Sequence, residues 1–173
     1  MEKPGKCLSG FLAAVALSLA LPAAQAAAVM MPKFDLPALD GSRYTEQYLQ
    51  GRPTLVVFWA SWCPVCQVEL PKLHALFEDA RGRGLQVLTV GFADDEGKIR
   101  NYVQTHADIF DYPVLYDFED RVAKRLGITG TPTVLLVNRR GEVEYTTWLV
   151  EDPALMNKLQ ELLARTAAME HRI

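Results

Sequence analysis

Two cysteines, Cys63 and Cys66, are separated by two residues in the stretch FWASWCPVC, directly after a run of apolar residues. Thiols at this spacing can form a redox couple, because one thiolate attacks a disulfide and the second thiol then displaces the product. They can also supply two ligands to a zinc site, or close a disulfide that serves only stability. The rest of the sequence bears on which of these three applies.

The first residues of the chain have the features of an export signal. Lys3 and Lys6 precede an apolar run over residues 8–21, Pro22 ends this run, and Ala24-Gln25-Ala26 supplies small residues suited to cleavage. A positive start, a short apolar middle and an A-x-A end are typical of secretory signal peptides. We therefore expect export to the periplasm or an equivalent compartment, where disulfides can form and persist.

This signal divides the chain into residues 1–26, a signal peptide, and residues 27–173, one domain. The alternative is an uncleaved N-terminal membrane anchor, because apolar character continues to Met31 and is long enough to span a bilayer. Cys7 lies in the signal and would be removed with it by cleavage. The exported part then keeps only the C-x-x-C pair, which can pair only with itself within one chain.

The alternatives to a redox couple have weak support. A disulfide across so short a loop removes little entropy from the unfolded chain, which argues against a purely structural staple. Zinc needs four ligands, and beyond the cysteine pair the exported part offers only His74, His106 and His171, which are spread along the chain. A peroxide-reducing enzyme should have a hydroxyl residue three before its reactive cysteine, where this chain has Ala60. We therefore expect no metal and favour a redox couple.

Composition limits the classes of protein and partner. Half of the 173 residues are hydrophobic and 23% are charged, which is typical of a globular domain and not of a disordered chain. The formal net charge is −3, and acidic and basic residues are mixed along the chain without a basic stripe. The sequence therefore predicts no nucleic-acid partner.

Apolar patterns predict strands that alternate with helices. The run TLVVFWA is typical of a strand buried on both faces, and a turn at Asp40-Gly41 predicts a short N-terminal β-hairpin. The predicted strands lie at 54–60, 85–92, 112–117 and, as a pair, within 131–149, and the predicted helices lie at 64–80, 94–107, 118–127 and after Asp152-Pro153. This order predicts an α/β fold, in which a central mixed β-sheet is flanked by helices on both faces.

Cys63 falls between the first of these strands and the following helix, where we expect the strand end to meet solvent. The free N–H groups and the positive end of the helix dipole stabilise a thiolate there, and such thiols commonly have pKa values lowered to about 3.5–7.5. Cys66 lies one turn further into the helix and is expected to be less exposed. Pro64 presets the first helical turn, and Trp62 places a flat apolar surface beside the sulfur.

The stretches FWASWCPVCQVELPKLHAL and GITGTPTVLLVNRRG resemble the thioredoxin superfamily, and within it the exported TlpA/ResA/CcmG-like group. The resemblance extends from FDLPALDG at 34–41 to the last helix. It implies a thioredoxin-like fold and a thiol:disulfide oxidoreductase that needs no cofactor. It also implies that Cys63 is the attacking nucleophile, that Cys66 is the resolving thiol, and that the two form a redox-active Cys63–Cys66 disulfide.

The resemblance also implies supporting roles for further residues. Thr131-Pro132 would form a loop opposite the cysteines, with a cis peptide bond before Pro132 and a backbone that faces the substrate's extended chain. Glu69 matches a glutamate near the ResA-like active site and could accept the proton of the resolving thiol, whereas the alternative is a solvated helix charge. Val65 stands where many relatives have proline, which leaves the direction of electron flow open.

Relatives of this kind often act as reductants in cytochrome c maturation. The resemblance therefore implies that the partners are exported proteins with thiols or disulfides, apocytochrome c among them, and that a membrane thiol donor regenerates the dithiol. The competing hypothesis is a non-catalytic thioredoxin-like module that handles copper or another metal, or that senses redox state. These two hypotheses differ in whether the cysteine pair turns over.

Overall fold

Residues 29–170 are described by this computed structural model, and they are arranged around a six-stranded β-sheet. The predicted signal peptide, residues 1–26, lies outside the described residues. The strands are β1 (Val29–Met30), β2 (Asp35–Pro37), β3 (Arg43–Thr45), β4 (Thr54–Trp59), β5 (Gln86–Gly91), β6 (Val114–Tyr116), β7 (Thr133–Val137) and β8 (Glu142–Thr147). The order across the large sheet is β1-β8-β7-β4-β5-β6, while β2 and β3 form a separate antiparallel pair.

The strand before the cysteines, β4, lies in the interior of the sheet. It runs parallel to β5, with Phe58 opposite Val90, and antiparallel to β7, with Phe58 opposite Thr133. All of its side chains are buried, which explains why the sequence shows a continuous apolar run instead of an alternating one. The mixed central sheet predicted from the sequence is confirmed.

Helices cover both faces of this sheet, as predicted. They are α1 (Pro64–Ala80), α2 (Glu96–Thr105), α3 (Arg121–Arg125) and α4 (Pro153–Glu170), with short 3-10 turns at Glu46–Leu49, Arg81–Arg83, Ala107–Ile109 and Phe118–Asp120. Leu55 and Val57 of β4 belong to a core shared with α1, α2 and α4, and Val56 and Phe58 to a core shared with α3 and the N-terminal strands. Within residues 29–170, no helix combines the length and apolar character needed to cross a bilayer.

The N-terminal strands β2 and β3 pair with Leu36 opposite Tyr44. Gly41 in the connecting turn has a φ of +89°, a conformation that glycine adopts without steric cost. The pair is fixed to the main sheet because the Leu39 N–H donates to the carbonyl oxygen of Val114 at 2.9 Å. This lead-in segment closes one face of the core.

The segment 118–127 differs from the single helix that the sequence predicts. A 3-10 turn over Phe118–Asp120 is followed by α3, which is only five residues long. The cause is Asp117, whose buried carboxylate accepts hydrogen bonds from the N–H groups of Val122 at 3.0 Å and Ala123 at 2.9 Å. A carboxylate that binds these two donors caps the helix, so regular helical turns begin only there.

We expect Asp117→Ala to lower the free energy of unfolding by about 2 kcal/mol, because it leaves buried backbone N–H groups without an acceptor. Asp117→Asn is the matched control, since its amide oxygen can still accept one of these bonds. Urea denaturation of the reduced protein at neutral pH measures both variants. Equal stability of Asp117→Ala and the wild type would contradict this account of the helix start.

Candidate active site

Cys63 is the N-cap residue of α1 and lies four residues beyond Trp59, the last residue of β4. Its N–H donates to the Ala60 carbonyl oxygen at 3.2 Å, which closes the turn between strand and helix. Its sulfur accepts a hydrogen bond from the Cys66 N–H at 3.2 Å. The predicted placement at the mouth of the helix is confirmed, and the helix dipole there favours negative charge on the sulfur.

Both sulfurs are sheltered from solvent in the dithiol form that this structure shows. Only 3% of Cys63 and 1% of Cys66 is exposed, so the expectation that Cys63 would meet solvent is wrong. The reason is a loop from elsewhere in the chain, since the Cys63 sulfur lies 3.5 Å from the carbonyl oxygen of Thr131. Cys66 is the less exposed of the two thiols, as the sequence predicts.

The environments of the two thiols drive their pKa values apart. Burial disfavours the Cys63 thiolate, but hydrogen bonds from the Cys66 and Thr131 side chains and from the N–H groups of Cys66 and Val65 outweigh it, so the pKa of Cys63 is lowered. Burial, together with the hydrogen bond to Cys63 and repulsion from its charge, raises the pKa of Cys66 to about 12. The site therefore favours ionisation of Cys63 over Cys66, and the Cys66 thiol is protonated at neutral pH.

The loop that shelters the cysteines contains the cis peptide bond between Thr131 and Pro132 that the family resemblance implies. Pro132 is buried and immediately precedes β7, which is paired with β4, so the sheet itself brings this loop to the start of α1. The Thr133 hydroxyl donates to the Gly130 carbonyl oxygen at 2.8 Å and braces the turn. Opposite the thiols, the loop thus presents backbone rather than a charged side chain.

Exposed apolar side chains lie around the buried sulfurs. Trp62 is 58% exposed, and its indole N–H donates to the Ala93 carbonyl oxygen at 2.9 Å, which fixes the ring beside Cys63. Pro64 and Val65 in the first turn of α1 are also exposed. The predicted apolar surface next to the nucleophile is therefore present, and one hydrogen bond orients its largest member.

Glu69 is neither solvated nor free. Only 3% of the residue is exposed, and one carboxylate oxygen accepts the Val150 N–H at 2.8 Å. The other accepts from the Lys72 ammonium group, also at 2.8 Å. The interpretation of Glu69 as a solvated helix charge is wrong, because the carboxylate faces the turn before α4 and not solvent.

The AhpC/TSA family profile matches residues 28–146, which include the cysteine pair and the cis-proline loop. The chain belongs to the AhpC/TSA family.

Relatives of this AhpC/TSA family member are named for thiol–disulfide chemistry. This chain is 27% identical over 110 residues to the thiol-disulfide oxidoreductase ResA of Halalkalibacterium halodurans, and the match covers 64% of this chain and 61% of that protein. It is 30% identical over 118 residues to the thiol:disulfide interchange protein DsbE of Escherichia coli K12, with 66% of this chain and 61% of that protein matched. The chain thus spans about three fifths of the length of these two relatives.

A solved structure supports the same fold. The thiol:disulfide interchange protein of the thioredoxin family from Chlorobium tepidum superposes with a TM-score of 0.67 at 25% identity, over 81% of this chain and 99% of that one. The resemblance to ResA-like and thioredoxin-like proteins that the motifs indicate is confirmed, as is the thioredoxin-like fold.

One residue at this AhpC/TSA-type site escapes sequence reasoning. This residue is Asp94. Its carboxylate accepts hydrogen bonds from the backbone N–H of Ser61 at 2.7 Å and from the Ser61 hydroxyl at 2.6 Å, and these bonds hold the turn before Cys63. The acidic run around Asp94 reads as a helix start in sequence, and Asp95 does cap α2. The sequence position of Asp94 could have indicated this contact, because Asp94 follows β5, whose carboxyl end lies beside that of β4 at one edge of the sheet.

Within residues 29–170 there is no group of three or more histidine, cysteine or acidic side chains that could hold a metal ion. His74 lies on α1, and His106 stacks on Tyr102 with ring centroids 4.2 Å apart. In this AhpC/TSA family member the two cysteines of the pair, Cys63 and Cys66, are both free thiols.

Proposed function

We propose that this chain is a thiol:disulfide oxidoreductase of the ResA/DsbE type that exchanges disulfides with exported proteins through Cys63 and Cys66. The observation that carries the proposal is the pair of thiols at the start of α1, one stabilised as a thiolate and the other protonated, with the Thr131-Pro132 loop opposite. This arrangement separates a nucleophile from a resolving thiol before any substrate is present.

The reaction balances with the two cysteines alone. The Cys63 thiolate attacks one sulfur of a partner's disulfide, a mixed disulfide forms, and the other partner sulfur leaves as a thiolate that takes up a proton. Cys66 then loses its proton and attacks the Cys63 sulfur. The second partner sulfur leaves, the Cys63–Cys66 disulfide forms, and two electrons have passed to the partner.

Formation of the mixed disulfide also activates the second thiol. Two of the causes that raise the pKa of Cys66 are its hydrogen bond to Cys63 and the charge on that sulfur, and both disappear when Cys63 is bonded to the partner. Burial remains, so the pKa falls without reaching that of an exposed thiol. The resolving step is thereby favoured only after the first bond has formed.

We propose the reducing direction, with apocytochrome c or another exported thiol protein as the partner and a membrane thiol donor that restores the dithiol. The predicted export signal and the ResA and DsbE relatives support this direction. The equilibrium potential of the cysteine pair in glutathione buffers tests it. A reductant should lie nearer the value of thioredoxin, about −270 mV, than about −120 mV, which is typical of a strong oxidant.

Insulin reduction tests the activity itself. Metal-free protein in the presence of dithiothreitol should reduce insulin with multiple turnovers. A metal-handling module would instead take up copper or zinc in stoichiometric amounts and leave the rate of insulin reduction at that of dithiothreitol alone. That second outcome would overturn the proposed function.

A further inference from the structure

The turn that connects β8 to α4 places an apolar side chain in the same groove as the Thr131-Pro132 loop. Trp148, in this turn, is 72% exposed. It lines a groove of about 290 Å³ together with Thr131 and Pro132, and the Thr131 carbonyl oxygen lies 3.5 Å from the Cys63 sulfur. Trp148 therefore lies at the rim of a groove that includes the loop facing the Cys63 sulfur.

The chemistry of the groove indicates what binds there. Of the described residues that line it, none is charged, and the side walls include Leu126, Ile128 and Val143. A large exposed apolar side chain next to such a groove is typical of a protein–protein contact, because an indole buries much apolar area when a partner covers it. An extended, apolar and uncharged segment of a partner polypeptide fits this surface.

The turn itself is anchored from two sides. Val150, two residues after Trp148, is fully buried, and its N–H donates to the Glu69 carboxylate at 2.8 Å. On the other side the Thr147 hydroxyl donates to the Asp152 carboxylate at 3.2 Å. Glu69 is thus the link between this turn and α1, the helix that carries the cysteines.

The second oxygen of Glu69 is also occupied. It accepts from Lys72 at 2.8 Å, and the Lys72 ammonium group lies 3.6 Å from the carboxylate of Glu151 in the same turn. Lys72 therefore bridges α1 and the turn a second time. A carboxylate with both oxygens engaged in this way is better suited to hold structure than to accept a proton.

We propose that Glu69 is a positioning residue that holds Trp148 at the rim of the groove, where an apolar segment next to the disulfide of a partner protein binds. This inference rests on the proposed function, since it concerns the binding of that substrate. It assigns Glu69 to substrate binding and not to proton transfer from Cys66.

Three variants separate these roles in insulin reduction. Glu69→Ala removes the acceptor of the Val150 N–H, and Trp148→Ala removes the indole ring at the rim of the groove. Glu69→Gln keeps an oxygen acceptor but cannot take a proton from a thiol. We expect Glu69→Ala and Trp148→Ala each to raise KM for insulin by about tenfold with a smaller change in kcat, as for loss of an aromatic anchor. We expect Glu69→Gln to stay within about twofold of the wild type in both constants.

The double variant Glu69→Ala/Trp148→Ala tests whether the two residues act together. If Glu69 acts through Trp148, the double variant should have the same KM as Trp148→Ala, because coupled effects are not additive. Additive effects on KM would overturn the proposal. So would a loss of kcat in Glu69→Gln as large as in Glu69→Ala at unchanged KM, since that pattern indicates proton transfer.

Two control variants lie outside the site. Glu78→Gln changes a carboxylate on the same helix that pairs with Arg81, and Met169→Ala changes an exposed apolar residue about 24 Å further along α4 than its start. Both should behave as the wild type. A rise in KM in either would show that the assay reports general loss of charge or apolar surface.

Amide hydrogen exchange provides a readout that does not depend on activity. The Val150 N–H should be protected in the wild type and in Glu69→Gln, and should exchange at least about tenfold faster in Glu69→Ala. Fast exchange in the wild type would overturn the anchoring role even if insulin is reduced. Slow exchange without any insulin reduction would instead refute the proposed function and leave no substrate for the groove.

Discussion

Cys63→Ala is expected to lower the rate of insulin reduction by about 1,000-fold or more, because the reaction loses its activated nucleophile. Cys66 cannot take over this role. Burial is the largest cause of its raised pKa, and burial persists when Cys63 is removed. The measurement is the initial rate of insulin reduction with dithiothreitol, corrected for the rate without protein.

The matched control for this variant is Trp59→Phe, which changes a buried aromatic residue of β4 and leaves both thiols in place. A large loss in Cys63→Ala with nearly full activity in the control would locate the chemistry at the sulfur. Retention of more than about one tenth of the activity in Cys63→Ala would contradict the assignment of the nucleophile.

Cys66→Ser is expected to stop the reaction at the mixed disulfide. The Cys63 thiolate can still attack, because the hydroxyl of serine can replace the Cys66 thiol as a hydrogen-bond donor to the sulfur. The adduct then has no internal thiol to release it, so turnover should fall by about 100-fold or more. Intact-mass spectrometry without reductant should show the protein joined to one insulin chain.

Cys66→Ala separates the two roles of the resolving cysteine. Alanine removes the donor as well as the thiol, so the pKa of Cys63 should be higher in this variant than in Cys66→Ser, and the adduct should form more slowly at neutral pH. Release of the adduct by added dithiothreitol in both variants confirms the disulfide. Wild-type turnover in Cys66→Ser would show that another group resolves the intermediate.

The parts of the site that are close in sequence were predictable. The apolar run of β4, followed at once by a cysteine, a proline and helical spacing, predicts a thiol at a helix start, and Cys63 is the N-cap of α1. The cis bond before Pro132 followed from the resemblance of the motif that contains it. In both cases the signal lies in a few residues that are adjacent in the sequence.

What could not be predicted depends on contacts between distant segments. The shelter of Cys63 comes from a carbonyl group 68 residues away, and the Glu69 carboxylate finds its backbone partner 81 residues away. Periodicity shows which side chain is buried but not which group it meets, so Glu69 could not be placed. The split of the predicted helix at 118–127 arises from one side chain, Asp117, competing for the first N–H groups of α3.

The central claim is that Cys63 is held as a thiolate while Cys66 stays protonated, and alkylation across a pH series tests it most directly. Reduced protein is treated with iodoacetamide between about pH 5 and pH 10, and each cysteine is quantified by peptide mass spectrometry. Only the thiolate reacts, so the rate at each residue should rise with pH and level off above its pKa. Controls with Cys63→Ala and Cys66→Ala identify the modified peptides.

The account predicts that Cys63 reaches its plateau below the ordinary thiol value of about 8.5, while Cys66 remains largely unmodified throughout the series. Equal modification of both residues, with one shared midpoint at or above about 8.5, would contradict it.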